Sequence, residues 1–136
     1  MPKYLIFHDR QQLERFMSSE SDLLYDLIKH CPNDSTWEIS RDSWERLPEL
    51  LKGFMTVSET HIQVIVNDHS RDKLLEVIER NDLSEKIVHQ SIIDASGKYL
   101  MNSWDHLVLC EVSHGFPKVG NLILKYGNMN YFTVLE

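Results

Sequence analysis

Three Asp/His neighbours, His8-Asp9, Asp68-His69 and Asp105-His106, are the parts of this chain best equipped for acid–base chemistry. An imidazole exchanges protons near neutral pH, and a carboxylate can orient it. Neighbours on a strand point to opposite faces, so each pair needs a partner from elsewhere in the fold. His8 and His69 each follow a predicted strand and precede a predicted helix. If those strands are parallel neighbours, His8, Asp9, Asp68 and His69 gather at the carboxyl edge of the sheet, where open α/β sheets bind ligands. In the competing reading the same polar residues cap helices and meet solvent.

Other chemistry is poorly served. None of the seven histidines lies in an HExxH motif or at i, i+4 spacing on one helix, so no metal site is expected. No GxSxG elbow or glycine-rich phosphate loop is present, and no cofactor is implied. Cys31 and Cys110 lack metal-ligand spacing and are expected to be unbridged thiols, Cys110 buried in an apolar strand and Cys31 the more reachable.

The strongest signal is charge. The chain has 21 Asp and Glu against 14 Lys and Arg, a formal net charge of -7, with no Lys/Arg stripe to reverse it locally. Such a surface repels phosphate backbones, which excludes nucleic acid as a partner, and suits either plain solvation or recognition of a basic protein. The N-terminal apolar run Tyr4-Leu5-Ile6-Phe7 is too short for a signal peptide core or a membrane span, so a cytoplasmic protein without membrane contact is expected. With 42% hydrophobic and 26% charged residues and no linker or repeat, residues 1–136 read as a single domain.

The elements that must position these residues follow from period. Tyr4–Phe7 reads as a buried strand, followed by a helix capped by Asp9 with Leu13, Phe16, Leu24, Leu27 and Ile28 on one face. Ser19 and Asp22 have capping-box spacing and predict a break in it. Thr36–Ile39 is a short strand. Asp42 and Glu45 open a helix carrying Trp44, Leu47 and Leu51, awkwardly interrupted by Pro48. Ile62–Val66 is β-branched on both faces and is expected to be central and covered on both sides. A helix capped by Asp68 or Ser70 buries Leu74, Leu75 and Ile78. After about Lys86 the pattern shortens, and strands are expected at 87–94, 99–102, 106–112, 122–126 and 131–135. The fold class is therefore α+β, with helices packed on a mixed, mostly antiparallel sheet that ends in a C-terminal β-meander. Within it, Glu111 shares a strand face with Leu107 and Leu109, where it must either meet solvent or find a cationic partner.

In composition the chain is similar to the small acidic immunity proteins that bacteria keep in the cytoplasm to block toxins; the similarity carries no particular residue. It implies a non-enzymatic binding protein that inhibits a basic partner, such as a toxin domain, by electrostatic steering and occlusion. The candidate partner-binding surface combines acids with aromatics: Asp22, Asp26, Trp37, Glu38, Trp44 and Glu45. Against this, each tryptophan can equally be core, Trp44 above all. The alternative function is a small-molecule-binding or enzymatic domain built on His8, Asp9, Asp68 and His69. An apolar C-terminal strand, Tyr131–Leu135, would also let a second copy pair with an exposed edge.

Overall fold

The computed structural model describes residues 3–8, 13–41, 51–81, 87–104, 109–129 and 132–135, with the backbone alone at 8 and 13–21. Strands β1 (Lys3–His8), β2 (Ser35–Ser40), β3 (Met55–Val57), β4 (His61–Val66), β5 (Gln90–Ile93), β6 (Tyr99–Trp104), β7 (Leu109–Ser113) and β8 (Phe132–Leu135) form one sheet. The helices are α1 (Leu13–His30), α2 (Arg71–Asn81) and α3 (Val119–Gly127). Strand order is β3-β4-β2-β5-β6-β7-β1-β8, and every pairing is antiparallel. The fold is α+β, as expected, with a C-terminal strand at the sheet's edge.

Antiparallel register assigns each side chain to a face, because directly opposed residues point the same way. One row runs Trp37, Ile92, Met101, Val112 and Tyr4 across five strands; the next on that face runs Ile39, Gln90, Ser103, Cys110 and Ile6. Nearly all of these are buried, as are Leu23, Leu24, Leu27 and Ile28 of α1, Leu74, Leu75 and Ile78 of α2, and Leu122 and Tyr126 of α3. All these buried side chains belong to a single core. The helices thus cover one face of the sheet, and the strict alternation of burial along β2 marks the other as open.

Local chemistry explains several boundaries. Asn67 Oδ1 accepts the backbone N–H groups of His69 (3.0 Å) and Ser70 (3.2 Å), so Asn67, rather than Asp68 or Ser70, supplies the side-chain cap at the start of α2. From α2, Arg71 donates to the Ile28 carbonyl (2.6 Å) and the Lys29 carbonyl (3.2 Å), satisfying the end of α1 with a cation where the helix dipole favours one.

Three expectations are corrected. The break predicted at Ser19–Asp22 does not occur: α1 runs through it as one helix, anchored by the buried Leu23, Leu24, Leu27 and Ile28 beyond it. The strand predicted at 122–126 lies in α3, where Leu122 and Tyr126 at i, i+4 are buried while Leu124 is exposed. β4 is not covered on both sides: Val64 and Val66 are buried, but Ile65 on the opposite face is 47% exposed. The helix expected around Trp44 lies largely outside the described residues.

Candidate functional site

The proposed catalytic convergence of His8 and His69 depended on parallel neighbouring strands. Instead β1 and β4 run in opposite directions and lie five positions apart in the sheet, roughly 24 Å at the usual strand spacing. His8 is therefore at one end of the sheet, and Asp68 and His69 at the other. Asp68 is exposed and accepts from Asn33 Nδ2 at 3.2 Å, and the segment around it serves as the turn that starts α2. Asp9 lies outside the described residues.

The six residues expected to bind a partner also separate. Trp37 is fully buried, and its indole donates to Gln90 Oε1 at 2.8 Å, so this ring belongs to the core. Asp22, exposed, and Asp26, half-buried, lie on α1, on the helix side of the sheet and away from the open face. Asp26 accepts from Lys125 Nζ (2.6 Å) and from the Tyr126 hydroxyl (2.7 Å), tying α1 to α3. Burial, followed by the Asp26 hydrogen bond and charge, pushes the Tyr126 phenol far above its ordinary range. Burial also raises Asp22, against the opposing pull of Lys125. Trp44 and Glu45 lie outside the described residues. Of the four described, Glu38 alone stands on the open face.

Sequence reasoning missed the extent of that open face. Across it, in register, run Thr56, Gln63, Glu38, Ser91, Asn102, Glu111, Leu5 and Leu135, one residue from each strand. Hydrogen bonds link this row. Gln63 Nε2 donates to Glu38 Oε2 at 3.1 Å, and Ser91 Oγ donates to Asn102 Oδ1 at 2.7 Å. Lys3 Nζ meets Glu111 Oε1 at 2.8 Å, so Glu111 has both the solvent-facing position and the cationic partner. Of the six large apolar side chains exposed among the described residues, Ile65, Tyr99, Trp104 and Leu135 stand on this face. Leu5, Phe7, Ile93 and Leu109 are half-buried between them. The signal was available in the period-two pattern of β2 and β7, but which face the helices would cover was not.

Two depressions indent the open face on either side of Asn102. One, of about 260 Å³, is flanked by Lys3, Lys98, Tyr99 and Glu111. The other, of about 80 Å³, is flanked by Glu38, Ser40, His61, Ser91, Asn102 and Trp104. In the second, His61 Nε2 lies 3.6 Å from Glu38 Oε1 while His61 Nδ1 shares a 2.7 Å hydrogen bond with Thr60 Oγ1. A third cleft, about 250 Å³, opens between α1 and α3 beside Asp26, His30, Phe116, Lys118 and Lys125. There burial and, secondarily, Lys118 hold the His30 imidazole below its usual range.

Among the described residues no three His, Cys, Asp or Glu side chains come together as a metal-ion cluster, and no helix is long and apolar enough to cross a membrane. Both cysteines are thiols and both are buried. Cys31 is less reachable than expected, with 3% exposure, and burial raises its thiol above the usual range despite Arg71 beside it. Comparison with protein-family models, with curated proteins and with solved structures gives no match to this chain.

Proposed function

We propose that this chain is a non-enzymatic binding protein whose open sheet face docks on a basic protein partner, the most concrete form of which is neutralisation of a toxin in the cytoplasm. The observation that carries this reading is that Ile65, Tyr99, Trp104 and Leu135 are exposed on the one sheet face that the described helices leave uncovered, spread across it from β4 to β8. Exposed aromatic and aliphatic side chains among hydrogen-bonded polar groups are the composition of a protein–protein interface. The net charge of -7 supports a cationic partner through long-range steering, and two unbridged thiols suit a reducing compartment.

The test is affinity capture from the native host at low ionic strength, with wild type beside a Tyr99→Asp/Trp104→Asp variant. A basic protein retained by wild type, lost by the variant and eluted by salt is the expected result. Equal retention by both would refute the open face as the docking surface, and no retained protein would refute the function.

A second reading, self-association through the C-terminal strand, is favoured by the position of β8 at the sheet edge and by its uncharged sequence Phe132-Thr133-Val134-Leu135. Light scattering decides it: a monomer mass at all concentrations would refute it.

A further inference from the structure

We infer that the depression between Glu38, His61 and Trp104 receives an arginine side chain of the partner, a proposal that rests on the docking reading above and gives it an anchor. At about 80 Å³ the space is far below the ~300 Å³ at which pockets begin to hold whole small molecules, and it matches the head of one side chain. Its lining holds one carboxylate, Glu38, with two imidazoles, His61 and His89, and the carboxylate selects the charge. Glu38 is an acceptor-only carboxylate whose side chain is just 16% exposed, and its orientation is fixed by Gln63 on Oε2 and His61 beside Oε1.

The shape and the rim select guanidinium over ammonium. Trp104, 39% exposed, lines the same depression as Glu38, and a planar cation can lie on an aromatic ring while its N–H fork reaches an acid. Asn102 Oδ1, already oriented by the Ser91 hydroxyl, and the Ser40 hydroxyl supply further acceptors. An anionic occupant would face the half-buried Glu38 carboxylate, and an apolar one would strand it without solvent. The depression on the other side of Asn102 has Lys3 and Lys98 at its rim, so a basic side chain is repelled there and drawn here, which fixes the partner's orientation across the face.

The probe is Nα-acetyl-arginine amide, titrated at low salt into the full chain and followed by amide and indole N–H resonances, with the lysine and citrulline analogues as controls. The expected result is saturable movement of the Trp104 indole and Gln63 side-chain signals with no movement of the Trp37 indole. Glu38→Gln, which keeps the shape and an acceptor for Gln63, should weaken binding about tenfold at unchanged melting temperature, as should Trp104→Ala. Absence of saturation, equal affinity for lysine or citrulline, or indifference to Glu38→Gln would each overturn the assignment. These outcomes are independent of partner capture. A captured partner whose affinity ignores Glu38→Gln removes the arginine anchor and leaves the docking reading standing, whereas loss of capture with an intact arginine titration does the reverse.

Discussion

Trp37 and Gln90 form a buried pair whose energetics can be worked out from its geometry. The indole N–H donates to Gln90 Oε1 at 2.8 Å, Trp37 is fully buried and Gln90 is 3% exposed, while Gln90 Nε2 has no hydrogen-bond partner. Trp37→Phe deletes the donor and leaves the whole amide of Gln90 unsatisfied in the core. Stranding a buried acceptor costs ~1 to 3 kcal/mol. The smaller ring leaves a void worth ~1 to 2 kcal/mol more, by analogy with removal of one or two buried methylenes. The expected loss is therefore about 2 to 5 kcal/mol, a large part of the stability of an ordinary domain. Gln90→Met strands the indole N–H but also removes the unpartnered Nε2, so it should cost less, about 1 to 2 kcal/mol. In Trp37→Phe/Gln90→Met both polar partners are gone and only the packing loss remains. Urea unfolding of the four proteins gives the coupling directly, and we expect the double variant to be at least ~1 kcal/mol more stable than the summed singles predict. Additive costs, or a Trp37→Phe loss below ~1 kcal/mol, would refute the claim that this hydrogen bond holds the middle of the core.

Three further predictions concern titration and charge. Burial raises the Asp22 carboxyl in the folded state, so the native state holds its proton more tightly than the unfolded one; the residue costs stability once pH exceeds that raised value and costs nothing below the unfolded value. Asp22→Asn should accordingly stabilise at neutral pH, with the gain disappearing as pH falls through the carboxylate range; a gain constant with pH in thermal melts would contradict this. Asp26→Ala should destabilise by ~1 to 3 kcal/mol in urea unfolding, mostly by stranding the buried Tyr126 hydroxyl, because the Lys125 side chain is 48% exposed and its pairing is screened. A loss of the same size after Lys125→Met alone would reverse that apportionment. Cys31 and Cys110 should both react with a thiol reagent only on unfolding, since both are buried and burial raises the Cys31 thiol; rapid labelling of either in the native state would refute their burial.

What could be read before the fold was known depended on local period. The α1 and α2 faces were legible because Leu24, Leu27 and Ile28, and Leu74, Leu75 and Ile78, repeat at helical spacing, and β2, β4 and β7 because their residues alternate or run β-branched. Leu122-Ile123-Leu124-Lys125-Tyr126 misled because five residues fit either period, and only contact with β8 and the core decides for helix. The candidate site failed for a different reason. Bringing His8 to His69, or Trp37 to Asp22, is a question of strand order and of which face helices cover, and neither is encoded within any short window. Glu111 was the exception, since one carboxylate in an apolar strand predicts its own face.

The place of β1 between β7 and β8 has a consequence for synthesis on the ribosome. Lys3 pairs with Ser113 and Leu5 with Leu135, so β1 can find neither neighbour until β7 and then β8, more than a hundred residues later in the chain, have emerged. Meanwhile β2, β4, β5 and β6 can already form their ladders. Closing loops of that length makes the final step slow and leaves Tyr4-Leu5-Ile6-Phe7 unpaired in the interim, a sticky segment awaiting a late partner. Nascent chains stalled before residue 109 should therefore recruit chaperones through β1, even with the other half of the sheet assembled.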